Sequence, residues 1–241
     1  VLRLYHFVPV ANGGKVLMAL HEKGIEFESF WIDLHKFEQH APAYLAINPD
    51  GQVPALVHDG AVITHTSVIN EYLEDAFPGT PPLRPAAALD VARMRQWNKY
   101  IDDYVMQAVS IHGWQVGAGA VARSYSDDDF SSLMDRVPLQ RQREKWQAAR
   151  VGFPRSKLDE CTRQVEDAVA KVEHALEGGP WLLGEFFSLA DINFFAYCGG
   201  ALETMFPTIG NERTCPRLLD WVMRMKARPG IARALATRAP A

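Results

Sequence analysis

Three short stretches near the N-terminus place polar groups where they could hold an anion or a peptide. Gly13-Gly14 stands where an apolar strand gives way to a helix. Helix N-termini present unpaired N–H groups and the positive end of the helix dipole, and both stabilise anions. A thiolate is such an anion, and a thiol pKa near ~8.5 falls substantially at such a site. The same two glycines serve equally as a plain tight turn. The first cysteine is Cys161, so thiol chemistry near residue 13 requires a thiol carried by a ligand. Thr64-His65-Thr66-Ser67 precedes another helix, where Thr66 or Ser67 suits the N-cap. The N–H groups there, with the Thr66 hydroxyl, could hold a carboxylate at the same time. Gln52-Val53-Pro54 lies where a strand begins, a position that tolerates proline. A cis bond before Pro54 would turn the Val53 N–H and C=O outward, toward a peptide-like ligand.

These stretches must be positioned by the elements around them. Val1 to Phe7 reads as a strand, and Lys15 to Lys23 as a helix with a Val16, Leu17 and Leu20 stripe, ended by Gly24. A second strand is expected over Glu26 to Asp33, then a short irregular helix over His35 to Leu45, broken near Pro42. Asn48-Pro49-Asp50-Gly51 is a turn. Gln52 to His58 and Ala61 to Thr64 form strands joined by Asp59-Gly60, a two-residue hairpin signature. Val68, Ile69, Tyr72, Leu73 and Ala76 then recur at helical spacing. The proline-rich segment 78–85 sustains neither helix nor ladder and reads as a linker. Beyond it the strand signals vanish. Trp97, Tyr100, Ile101, Tyr104, Ala108 and Ile111 mark one long amphipathic helix, and Leu158, Cys161, Val165, Ala168, Val172 and Leu176 mark another. Residues 115–155 carry no clear period. The prediction is a small α/β domain over residues 1–79 and an all-α domain over 86–241.

Composition narrows the function classes. The 241 residues include 25 basic and 29 acidic side chains, a net charge of −4, which leaves no domain-wide basic footprint for nucleic acid. No apolar run approaches the ~20 residues that span a bilayer. Val1 to Tyr5 lacks the charged and apolar tract of a secretion signal. Three cysteines cannot all pair, and neither they nor His6, His35, His40 and His112 have metal-ligand spacing. Reduced thiols in a cytoplasmic protein without a metal are the expectation. Ser188-Leu189-Ala190-Asp191 is a capping box opening an apolar helix, a structural feature. The arginines from Arg136 to Arg155 are interleaved with acids and read as a solvated face.

In combination these stretches resemble a known family. The order of elements, Gln52-Val53-Pro54-Ala55-Leu56, the helix start Thr66-Ser67-Val68-Ile69-Asn70-Glu71-Tyr72-Leu73, and Ser188-Leu189-Ala190-Asp191-Ile192 resemble the glutathione transferases over nearly the whole chain. Lys36-Phe37-Glu38-Gln39-His40, Ile47 to Leu56, Glu71 to Asp75 and Gly152-Phe153-Pro154 look like the bacterial glutathione-dependent β-aryl etherases, which cleave β-O-4 linkages of lignin-derived aromatics.

The resemblance implies a thioredoxin-like N-terminal domain that binds glutathione and an all-helical C-terminal domain that binds the aryl ether. It places the glutathione cysteine backbone on Val53 beside cis Pro54, with Gln52 next to it. The γ-glutamyl end falls at His65 and Thr66, and the glycyl end at Gln39 or His40. Asn12, Gly13 and Gly14 would hold the thiolate. Trp97, Tyr100, Tyr104 and Trp114 would wall the aryl pocket, or else serve as helix-packing core. A homo- or heterodimer is also implied. In two places the chain departs from the family pattern. Ala11-Asn12-Gly13 stands where these etherases commonly have Ala-Asn-Ser, and His65-Thr66 stands where the superfamily commonly has Glu-Ser. The resemblance therefore leaves three functions: an active β-etherase, a weakly glutathione-binding partner subunit, or a general transferase or ligand-binding protein.

Overall fold

The computed structural model describes residues 1–240. Four strands form one sheet in the order β2-β1-β3-β4. These are β1 (Leu2–His6), β2 (Glu28–Trp31), β3 (Ala55–His58) and β4 (Ala61–Thr64). β1 and β2 run parallel, so a crossover must join them, and α1 (Ala11–Lys23) is that crossover. β3 is antiparallel to both β1 and β4. The β3–β4 hairpin turns at Asp59 and Gly60, both with positive φ (48° and 87°), the backbone that a two-residue turn demands. Leu2, Leu4 and Leu56 are buried on one face of the sheet, beneath Val16, Leu17 and Leu20 of α1 and Ile69 and Leu73 of α3 (Thr66–Ala76). On the other face Tyr5 stacks on Phe30, ring centroids 4.8 Å apart, and meets Tyr44 of the short α2 (Pro42–Leu45) edge-on.

After α3 the chain passes through a proline-rich turn held by a buried ion pair. Lys23 Nζ lies 2.6 Å from Glu74 Oε1 and donates to the Pro81 carbonyl, while Glu74 accepts from the Leu83 N–H. The helical half then begins. α4 (Ala88–Tyr100) continues through a π-helical turn (Ile101–Val105) into α5 (Met106–Gly113). A second π-helical turn (Trp114–Ala118) leads into α6 (Gly119–Ser124). α7 (Asp127–Asp135), α8 (Gln140–Val151) and α9 (Arg155–Ala175) follow, then α10 (Leu189–Cys198), α11 (Ala201–Thr204), α12 (Pro216–Ala227) and α13 (Pro229–Leu235). Every residue of α10 is buried. Beyond Thr64 the described residues contain only two isolated bridges, Trp181 with Gly184 and Leu183 with Phe186. The expected thioredoxin-like half followed by an all-helical half is the architecture found.

Several local expectations are corrected. α1 starts at Ala11 rather than Lys15, which puts Gly13 and Gly14 inside its first turn. β2 covers only Glu28–Trp31, and β3 begins at Ala55, after Gln52-Val53-Pro54. His65, not Thr66 or Ser67, is the N-cap of α3. Residues 115–155 are largely helical. They fold around a second apolar cluster of Phe37, Ala122, Phe130, Met134, Val137 and Trp146, to which the first half of the chain contributes Phe37.

Candidate functional site

Strand register brings the three polar stretches to one end of the sheet. Tyr5 pairs with Ala55, and Ala55 with Thr64. The residues just after β1, just before β3 and just after β4 are therefore neighbours, although they start α1, carry Pro54 and start α3. Both helix starts hold a non-glycine residue in the left-handed region, Ala11 at φ 51° and His65 at φ 65°. Such backbone costs of order 1–3 kcal/mol and concentrates at ligand sites.

At α1 no acidic residue occupies the first turn and no side chain caps it. Gly14 N–H is consumed by the helix, donating to the Val10 carbonyl at 3.0 Å, so of the expected anion-holding groups the Gly13 N–H is open and that of Gly14 is not. Asn12 Oδ1 accepts from the Tyr197 hydroxyl of α10 at 2.5 Å. With its oxygen so engaged, the amide keeps Nδ2 as its remaining hydrogen-bonding group, a donor. The buried cysteines Cys161, Cys198 and Cys215 all lie in the helical half, and burial pushes the thiol pKa of Cys161 and Cys198 up. None of them is a nucleophile for this site.

Pro54 follows a cis bond, and neither the N–H nor the C=O of Val53 has a partner among the described residues. The adjacent Gln52 carbonyl, by contrast, is held by Tyr44 Oη (2.6 Å) and Asn48 Nδ2 (2.7 Å), which fixes the loop. Gln52 Oε1 accepts from Arg141 at 3.3 Å. Thr66 is buried at N1 of α3, while the His65 side chain stands exposed. Gln39 and His40 are 5% and 3% exposed, and Gln39 Oε1 and His40 Nδ1 lack partners. Burial, with the Arg136 charge second, pushes the His40 imidazole down to about 4 and keeps it neutral at pH 7. A Cβ at Gly51 (φ 61°) would fall 2.5 Å from His40 Nδ1, so glycine is required on both counts.

The four expected aryl-pocket residues separate. Asp102 faces the first half of the chain: it accepts from Lys15 Nζ (2.6 Å) and from Ser67 Oγ. Tyr100 and Tyr104 are each two residues from Asp102, close to half a turn, and so point the other way. There they stack at 5.3 Å, with Lys171 of α9 over Tyr100 and the Tyr104 hydroxyl on Asp167. Trp97 packs on Tyr100 and also lies under Lys171. The structure does not bring these three to the α1 start. Trp114 lies on the side of the first half, 4.9 Å from Trp146, which packs on Phe37 at 4.6 Å.

Sequence reasoning missed Tyr197, Lys15, Ser67 and Asp102. Lys15 is 2% exposed, and Asn193 Nδ2 also reaches Asp102 Oδ1, at 3.3 Å. Desolvation, opposed by the Asp102 carboxylate, pulls the Lys15 ammonium down. This network ties α1, α3 and α10 to the long helix directly behind the site. A lysine inside an amphipathic helix gives no local signal of such a role. Among the described residues no group of three or more His, Cys, Asp and Glu side chains could hold a metal.

The helix start is also packed tightly around Gly13. A Cβ there would lie 2.8 Å from the Val8 carbonyl oxygen, a backbone atom that cannot swing aside. Gly13→Ser, the residue suggested by the family pattern, should therefore lower stability by about 1–3 kcal/mol. It should not tighten glutathione binding. Thermal unfolding and calorimetric titration of the variant check both halves of this expectation.

Known proteins share this fold. The family model for the glutathione S-transferase N-terminal domain matches residues 1–75, and that for the C-terminal domain matches residues 142–238. Protein LigF of Sphingobium sp. (strain NBRC 103272 / SYK-6) is 44% identical over 234 residues, 95% of this chain and 91% of LigF. The crystal structure of the β-etherase LigF from that strain superposes with a TM-score of 0.94, covering 97% of this chain and 98% of the other. Glutathione transferase F7 of Populus trichocarpa matches at TM-score 0.74 and 25% identity, covering 98% of this chain and all of the other. With both halves matched by one family and a nearly full-length relative at 44% identity, this chain belongs to the glutathione S-transferase family.

Proposed function

We propose that this protein cleaves β-aryl ether linkages of lignin-derived aromatics with glutathione as co-substrate, working as a subunit of a homo- or heterodimer in the cytoplasm. The observation that carries this reading is the similarity to the β-etherase LigF, 44% identity with a TM-score of 0.94. Residues 1–79 hold glutathione and residues 86–241 the aromatic partner. The open Val53 N–H and C=O pair with the cysteinyl backbone of the tripeptide. The α3 start at His65 and Thr66 takes the γ-glutamyl end, Gln39 or His40 takes the glycyl end, and Gln52 lies beside the cysteinyl backbone.

Asn12 Nδ2 and the Gly13 N–H face the sulfur and favour its ionised form. The thiolate attacks the carbon β to a ketone. A C–S bond forms, the C–O bond breaks, and its electron pair leaves on the phenoxide. The protein's contribution is to position the two reactants and to stabilise the anion. The test is direct: the purified chain, incubated with glutathione and a guaiacyl β-ketoether, should release the phenol and form the glutathione thioether. Conjugation of general electrophiles without ether cleavage would assign a general transferase instead.

His65 favours a second reading, a partner subunit that binds glutathione weakly. A glutamate there would meet the glutathione ammonium, and a charge-assisted hydrogen bond contributes about 1.5–3 kcal/mol. His65 is exposed, so solvent screening places the gain at the low end. His65→Glu should tighten glutathione binding by roughly tenfold. Calorimetric titration of both proteins gives the answer. A tight wild-type site left unimproved by the substitution would dismiss the partner-subunit reading.

A further inference from the structure

Lys145 is a half-buried cation without a counter-charge. It lies on α8, with Nζ 2.9 Å from Ser110 Oγ and 4.4 Å over the Trp114 ring, and no carboxylate among the described residues pairs with it. Several other cations of the chain are engaged. Lys15 is on Asp102, Arg136 on the His40 carbonyl, Arg141 on Gln52, Arg143 on the Val137 and Pro138 carbonyls, and Arg150 on Asp127. α8 reaches the first half of the chain at two points. One turn before Lys145, Arg141 reaches Gln52 beside Val53 and Pro54, and the next residue, Trp146, packs on Phe37. An ammonium held on an indole face and a hydroxyl, one helical turn from the arginine that reaches Gln52, has one charge left to meet. Removing such a cation from water is unfavourable unless an anion compensates.

We propose that Lys145 is a catalytic residue whose ammonium meets the oxygen of the departing phenoxide, with the leaving aromatic ring against Trp114. This inference rests on the etherase reading above. As the thiolate sulfur bonds to the β carbon, the C–O electron pair passes to oxygen. The Nζ proton then transfers to that oxygen, giving a neutral phenol and a neutral amine, and the amine regains a proton from water as the phenol leaves. Burial pushes the Lys145 ammonium down to about 8. A phenol of the tyrosine type titrates near ~10, so the transfer runs downhill. An ordinary lysine at ~10.4 would not supply that driving force.

The experiment compares wild type with Lys145→Met on two ketoethers, one releasing a methoxyphenol and one a nitrophenol. For the methoxyphenol ether kcat/KM should fall by about a hundredfold, the low end of general acid catalysis. For the nitrophenol ether, whose leaving oxygen needs little help, the loss should shrink to a few-fold. The Tm should hold, since the substitution removes an unpaired charge. A readout independent of cleavage is the binding of 4-nitrophenol just below its own pKa. Wild type should stabilise the absorbing phenolate, and Lys145→Met should not. Equal losses on both ethers, or no loss at all, would overturn the proposal, as would 4-nitrophenolate binding that ignores the substitution. If wild type cleaves neither ether yet binds the phenolate through Lys145, the etherase reading fails while the anion site stands.

Discussion

Asn12→Ala should lower glutathione-dependent turnover by about 10²–10³, the loss expected on removing one well-placed donor to a reacting anion. Asn12 sits in the first turn of α1, with its oxygen held by the Tyr197 hydroxyl. That bond holds the amide oxygen and, in the proposed site, leaves Nδ2 for the sulfur, a fixed dipole that needs no reorganisation when the thiolate forms. The thiol pKa of bound glutathione, followed by thiolate absorbance, should rise in the same variant. Asn12→Asp should be worse than alanine, because it sets a negative charge beside the thiolate. Tyr197→Phe should lose less than Asn12→Ala, since the amide remains but is free to turn. Tyr5→Phe should behave as wild type, because Tyr5 is stacked on Phe30 in the sheet. Turnover abolished by Tyr5→Phe and preserved in Asn12→Ala would transfer the sulfur contact to the tyrosine.

Asp191→Ala should cost about 3–5 kcal/mol of stability, or roughly 10 °C in Tm for a chain of this length. The Asp191 carboxylate is fully buried and accepts from the Leu182 N–H (2.9 Å), the Ser188 N–H (3.0 Å) and Trp221 Nε1 (3.0 Å). Truncation leaves three buried donors unpaired, each costing about 1–3 kcal/mol before relaxation. It also breaks the capping box of α10. Burial pushes Asp191 up to about 6 against these hydrogen bonds. A folded-state pKa above the unfolded value makes the residue's contribution largest below about pH 4 and smaller once the pH has risen through about 6. The gap in unfolding free energy between wild type and Asp191→Ala should therefore be wider in mild acid than at neutral pH. Urea titrations at the two pH values measure it. A gap that widens with rising pH would mean that Asp191 is charged throughout.

Local chemistry made part of this protein legible from its sequence. The Asp59-Gly60 hairpin, the Ser188 to Asp191 box, the Leu158 to Leu176 stripe and the cis bond at Pro54 are set by turn residues, caps and periodicity within a few positions. The α/β half followed by a helical half emerges from these signals alone. The turn that carries Val53 was legible for the same reason, while the α3 cap fell one residue earlier than expected, on His65. The helical content of 115–155 was not legible. Its apolar residues bury against Trp114 and Phe37, which lie outside the segment, so its own pattern is incomplete.

Tertiary structure alone decided which side chains meet at the site. Tyr197 reaches Asn12 across 185 positions, and Asp102 reaches Lys15 across 87, contacts with no trace in local spacing. The long helix shows most plainly why. Aromatic residues at steps of three and four identify an apolar stripe, yet they do not say which neighbour it faces. α9 claims Trp97, Tyr100 and Tyr104, leaving the opposite face, with Asp102, for the first half of the chain. The π-helical turn at Ile101–Val105 takes up an extra residue and rotates the helix beyond it, so Trp114 departs from the face that Trp97 begins. Periodicity determines that a surface will be buried; packing partners separated by a hundred residues determine against what.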